Sequence, residues 1–74
     1  IKRIRMKYAV RFVKGDLEFL SVPVNAEIDE ISESIYECIG NGHVFDMEIN
    51  DGDRAVLTPE LIAGGYFVIE KVEE

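Results

Sequence analysis

Seventy-four residues with a net charge of −7 and apolar side chains at 47% of positions make one small domain, read as spanning residues 1–74. The lone Cys38 excludes an intramolecular disulfide framework and fits a reducing compartment, and no apolar run approaches the ~20 residues of a membrane span. A domain this short buries only about 60% of its unfolded surface, so its stability is marginal and a second copy or a partner would add to it.

The charge is uneven. Residues 1–14 hold six bases (Lys2, Arg3, Arg5, Lys7, Arg11, Lys14) and no acid; residues 15–74 hold fifteen acids and two bases, Arg54 and Lys71, a balance of −13. An acidic body repels phosphate backbones, which argues against direct nucleic-acid binding. The basic segment is read as lying beside acidic strands of its own fold. No continuous apolar stretch follows it, so no signal peptide is read, and the chain is expected to be soluble and cytoplasmic, without a membrane partner. Met6 is read as the natural start and residues 1–5 as an appended or upstream-encoded extension.

From Met6 to Phe12 the residues alternate: Met6, Tyr8, Val10 and Phe12 face one way, Lys7, Ala9 and Arg11 the other. That is a half-buried strand. A second strand is expected over 17–22 after a tight Lys14-Gly15 turn, with Phe12 opposite Leu17, Val10 opposite Phe19 and Arg11 opposite Glu18. Ala9, Val13, Leu20, Val22 and Val24 then fall on a second face, too apolar to be merely solvated and expected to be either partly covered or used for association.

Pro23 ends that strand and Asn25 is positioned to cap a helix. Ile28, Ile31, Ile35 and Ile39, at steps of three and four, predict an amphipathic helix over about 26–39, with Cys38 beside the stripe and Gly40 as the left-handed C-cap. Phe45, Met47 and Ile49 alternate with Asp46 and Glu48 in the next strand. A three-residue Asn50-Asp51-Gly52 loop sets Ile49 opposite Asp53, Glu48 opposite Arg54, Met47 opposite Ala55 and Phe45 opposite Leu57. "TPELI" opens a helical turn with Thr58 as cap and Pro59 first; Gly64-Gly65 breaks it. "YFVIEKV", residues 66–72, is the last strand, and its apolar run suggests cover on both faces. The order β-β-α-β-β-β predicts an α+β domain: a small, mainly antiparallel sheet of about five strands with one amphipathic helix on a face.

Chemical motifs are scarce. "DMEINDGDR" tried as a calcium loop from Asp46 places Asp51 where Gly is required and Leu57 where Glu is required, so it is read as a turn. Cys38 and His43 make a single Cys/His pair, short of a zinc set, and Cys38 has no activating base in view near the negative end of its helix. No catalytic residue, metal ligand or cofactor is assigned, and an enzyme is not expected.

The acidic helix face is more informative. Asp29, Glu30, Glu33 and Glu37 recur with no Lys or Arg in the helix, and Glu33 and Glu37 repel as an i,i+4 pair. This is either a solvated face or a docking surface for a basic protein. Residues 6–23, "MKYAVRF", a turn, then "FLSVP", resemble the opening of HicB-type antitoxins. That resemblance implies a short two-strand unit followed by a helix, in a protein that neutralises a small basic toxin nuclease. It covers about a quarter of the chain, and the step from Pro23 to the helix is shorter than the family's, so the chain is not assigned to that family. The expectation is a non-enzymatic interaction or regulatory module, with Asp29, Glu30, Glu33, Glu37, Leu20 and Val22 as candidate partner-binding residues and a homodimer as one form of association. Short acidic domains are common in phage and mobile genomes, an association that favours an inhibitor role, toxin-neutralising or DNA-mimicking. The alternative is a small-ligand or divalent-cation domain using the carboxylates of residues 46–53.

Overall fold

The computed structural model describes residues 6–50 and 52–73. In chain order these are β1 (Lys7–Lys14), β2 (Leu17–Leu20), β3 (Val24–Asn25), α1 (Ile28–Asn41), β4 (Phe45–Asn50), β5 (Asp53–Leu57), α2 (Pro59–Ile62) and β6 (Tyr66–Val72). The fold is α+β with mainly antiparallel sheets and one main helix, as the sequence predicts. The sheet of about five strands is instead divided in two: β1, β2, β3 and β6 form one sheet, and β4 with β5 another. Residues 1–5, read from the sequence as an extension, lie outside the described residues.

Strand β1 is the centre of the larger sheet. Its C-terminal half pairs with β2, its first two residues pair with β3, and its opposite edge pairs along seven residues with β6. The turn between β1 and β2 is Gly15-Asp16 rather than Lys14-Gly15. Gly15, at φ 59, takes the first turn position, and Lys14 pairs with Leu17. The register therefore moves by two: Phe12 faces Phe19, and Arg11 faces Leu20 instead of Glu18. A shift of two preserves the faces, so Val10, Phe12 and Phe19 still share the core side.

The chain leaves β2 early because Ser21 turns inward. Its N–H donates to the Val10 carbonyl (2.8 Å), and its hydroxyl accepts from the Val10 N–H (2.8 Å). Past this kink Val24 pairs with Tyr8, on the core side and not on the expected second face. Asn25, committed to β3, cannot cap the helix. Glu27 does so two residues later, in a capping box whose Glu30 carboxylate accepts from the Glu27 N–H (3.3 Å). The helix correspondingly runs through Gly40 and ends at Gly42, which adopts the left-handed φ of 67. The apolar stripe is half used: Ile31 and Ile35 are buried, whereas Ile28 and Ile39 are exposed.

In the smaller sheet the expected pairs Phe45–Leu57, Met47–Ala55 and Glu48–Arg54 all form. At the tip Asn50, not Ile49, opposes Asp53, because the register shifts between Glu48 and Asn50. Asp51, the middle of the expected loop, lies outside the described residues. Helix α2 begins as expected, with the Thr58 hydroxyl accepting from the Leu61 N–H (3.2 Å) and Pro59 first.

One core joins the sheets. Val10 and Phe12 of β1, Ile31 and Ile35 of α1, and Met47, Ala55 and Leu57 of the β4–β5 hairpin form a single buried cluster. Phe67 links the layers, with its ring 5.0 Å from Phe12 and 5.2 Å from Phe45, centroid to centroid. A direct backbone bond, Val22 N–H to the Glu48 carbonyl (2.8 Å), ties the hairpin to the β2–β3 side. Strand β6 lies on the opposite edge. It is only partly buried along its length, so the expected cover on both faces is not realised.

Candidate functional site: a groove between α1 and β6

The six residues singled out from the sequence do not form one surface. Asp29, Glu30, Glu33 and Glu37 are all exposed on α1. Leu20, opposite Arg11, is exposed on the far side of the larger sheet, and Val22 is half-buried in the β2–β3 link, where its N–H is already engaged with Glu48. The helical period divides the acids again. Asp29 and Glu33 share a stripe with Ser32 and Tyr36, while Glu30 and Glu37 lie further round. Glu30 is moreover held in the N-terminal capping box.

The surface that sequence reasoning missed lies beside the Asp29–Glu33–Tyr36 stripe. An open apolar cleft of about 440 Å³ separates the C-terminal half of α1 from α2 and the start of β6. Ile35, Tyr36 and Ile39 form one wall, Ile62, Tyr66 and Phe67 the other. A smaller hollow of about 100 Å³ continues it between Ser32, Ile35 and Tyr36 of the helix and Phe67 and Ile69 of the strand. Together they form a groove along the outer edge of β6. Its rim is strongly exposed: Tyr36 at 72%, Tyr66 at 59% and Ile39 at 51%. Tyr36, set between Glu33 and Glu37 on the predicted helix, was the one sequence signal; the opposing wall lies more than 25 residues downstream of it and carries no local mark.

Cys38 and His43 border this cleft. The Cys38 thiol lies 3.2 Å from the His43 carbonyl and 3.1 Å from the Val44 carbonyl, so it is placed as a donor to backbone oxygen and helps fix the turn after α1. Those contacts are to the backbone; the imidazole is not the thiol's hydrogen-bond partner in this pair. Among the described residues no group of three or more His, Cys, Asp or Glu side chains converges as a metal site. Of the 46–53 carboxylates, Asp46 and Glu48 project from the exposed side of β4, Glu48 opposite Arg54. Among the described residues no helix is long and apolar enough to cross a membrane.

On the far side of the sheet Arg11 sits between two acids. It contacts Glu18 diagonally across the β1–β2 pair and makes a bidentate bond to Glu70, with Nε to Oε1 at 2.5 Å and Nη2 to Oε2 at 3.2 Å. The guanidinium donors hold the Glu70 carboxyl below its ordinary range, and the same bonds raise Arg11 above its own. This is where part of the basic N-terminal segment is placed, beside acidic strands of its own fold.

No family model matches the chain, and neither a curated protein nor a solved structure matches it significantly.

Proposed function

We propose that this chain is a non-enzymatic protein-interaction module that docks a basic partner on the α1–β6 side. The observation that carries this reading is the juxtaposition of exposed Tyr36, Ile39 and Tyr66 around an apolar cleft with a helix bearing carboxylates and no base. Apolar side chains left in water beside a concavity supply affinity when covered, and uncompensated charge around them selects the partner and speeds encounter. Inhibition of a basic protein is the form of regulation that such a surface fits.

The test is capture from lysate of the native source by the immobilised chain, in parallel with Asp29→Lys/Glu33→Lys on the groove side and Leu20→Lys on the far side. Glu30 is spared because it caps the helix. A basic protein captured by the wild type and by Leu20→Lys, but lost by the helix variant, supports the reading. A partner retained by the helix variant and lost by Leu20→Lys moves the site to the far face of the sheet. Light scattering on the purified chain covers self-association: a dimer that survives the helix substitutions would place the second copy on that far face.

A further inference from the structure

Among the described residues the outer edge of β6 is an unpaired strand edge, and its hydrogen-bonding groups can be assigned. Both the N–H and the C=O of Val10 point toward β2, since both bond Ser21. Backbone groups alternate sides along a strand, so Ala9 and Arg11 point toward β6, where they face Glu70 and Val68. Tyr66, Val68, Glu70 and Val72 are thereby committed to β1. Phe67, Ile69 and Lys71 present their N–H and C=O outward, and among the described residues no strand pairs with that side. The usual protections of an exposed edge are weak here. The β1–β6 ladder runs seven residues without a register shift, β6 contains no proline, and its charges are confined to Glu70 and Lys71.

This edge is also the floor of the groove. Phe67 and Ile69, the residues with outward backbone groups, send their side chains to the core side, beneath Ile35 and Tyr36 of α1. A segment lying along β6 would satisfy the edge and set alternate side chains under the helix, the arrangement by which several peptide-binding domains add a strand.

We infer that the groove between α1 and β6 binds an extended, basic segment of the partner as an added β-strand, with apolar side chains at alternate positions and Lys or Arg around them. The inference rests on the docking reading above and specifies its geometry. Charge decides between a basic segment and a second copy of this chain. Pairing β6 with β6 of another molecule would bring two α1 helices together, each carrying Asp29, Glu30, Glu33 and Glu37 without a base. A segment bearing Lys or Arg meets attraction from Asp29 and Glu33 at the same place.

The probe is a nine-residue peptide with Val, Ile and Val at alternate positions and Lys elsewhere, titrated into the full chain and followed by amide NMR and hydrogen exchange. The expected result is new protection of the Phe67, Ile69 and Lys71 amides, with those of Val68 and Glu70 already protected before peptide is added. Methylating the backbone nitrogens of one alternate set of peptide residues should weaken binding at least tenfold, and methylating the other set should leave it unchanged. Asp29→Lys/Glu33→Lys should weaken the unmodified peptide by a similar factor. Equal tolerance of both methylation patterns, with shifts confined to α1, overturns strand addition while leaving the docking reading intact. No binding at millimolar peptide also overturns strand addition, and the capture experiment then decides the docking reading separately.

Discussion

At the scale of single residues, Gly65 and Gly40 make opposite predictions. A Cβ at Gly65 would come within 2.5 Å of Phe12 Cζ and 2.8 Å of the Val13 carbonyl oxygen. Phe12 is completely buried and the carbonyl belongs to the central strand, so neither can move aside cheaply. Gly65→Ala should cost about 1–3 kcal/mol, the usual penalty of overpacking. At Gly40, inside α1, a Cβ meets nothing within 4 Å. Gly40→Ala should therefore stabilise by roughly 0.8 kcal/mol, through helix propensity alone. Urea denaturation of both variants checks the pair; a stabilised Gly65→Ala would contradict the close approach. The Arg11–Glu70 bond gives a pH prediction. Because the folded-state Glu70 carboxyl lies below its ordinary value, its contribution is fully present above the unfolded value and is lost as pH falls through the folded one. Wild type should melt higher than Glu70→Gln by a constant interval from neutrality down to roughly pH 5, and the interval should shrink below about pH 4. An interval that widens in acid would reverse the assigned direction.

At the scale of elements, α1 carries the test that separates structural acids from docking acids. Glu30 accepts from the Glu27 N–H, so Glu30→Ala should cost about 0.5–1 kcal/mol through the lost cap. Glu33→Ala relieves repulsion with Glu37 and should be neutral or stabilising by a few tenths of a kcal/mol. Thermal melts that rank the two variants the other way would remove Glu30 from the cap. The elements whose signals are local were legible in the sequence. Strand β6 spans the expected residues, α2 starts at Pro59 behind Thr58, and the apolar faces of β1 and of the β4–β5 hairpin are as read. What failed was decided by competition between neighbours. Either Gly15 turn keeps Phe12 and Phe19 on one side, so alternation could not choose between registers two apart. Asn25 is a good cap in isolation, but the inward turn of Ser21 draws Val24 and Asn25 into pairing with β1, and the cap passes to Glu27. The groove was illegible for a different reason. It exists only because Tyr36 and Ile39 are brought across from Tyr66 and Phe67, and nothing in either segment announces the other.

At the scale of the molecule the question is whether two sheets make one cooperative unit. Among the described residues their backbones pair only within each sheet, apart from the Val22–Glu48 bond, an arrangement that by itself would let the hairpin open alone. The side chains argue otherwise. Leu57 of β5 is 1% exposed, as deeply buried as Phe12 of β1, and both belong to the cluster that includes Ile31 and Ile35. Phe67 touches Phe12 on one side and Phe45 on the other, so loosening the hairpin exposes the wall of the groove as well. Leu57→Ala should accordingly destabilise the whole domain by about 2–5 kcal/mol, a large share of what a chain this small possesses. Denaturation should remain a single transition at a lower midpoint with an unchanged slope. A biphasic curve, or amides of β1 and β6 that keep their exchange protection while those of β4 and β5 lose it, would show the hairpin to be a separate unit. In that case the groove would keep its β6 edge without the hairpin, and binding of the basic probe would outlast the first transition; in a single cooperative domain, binding and both sheets are lost together.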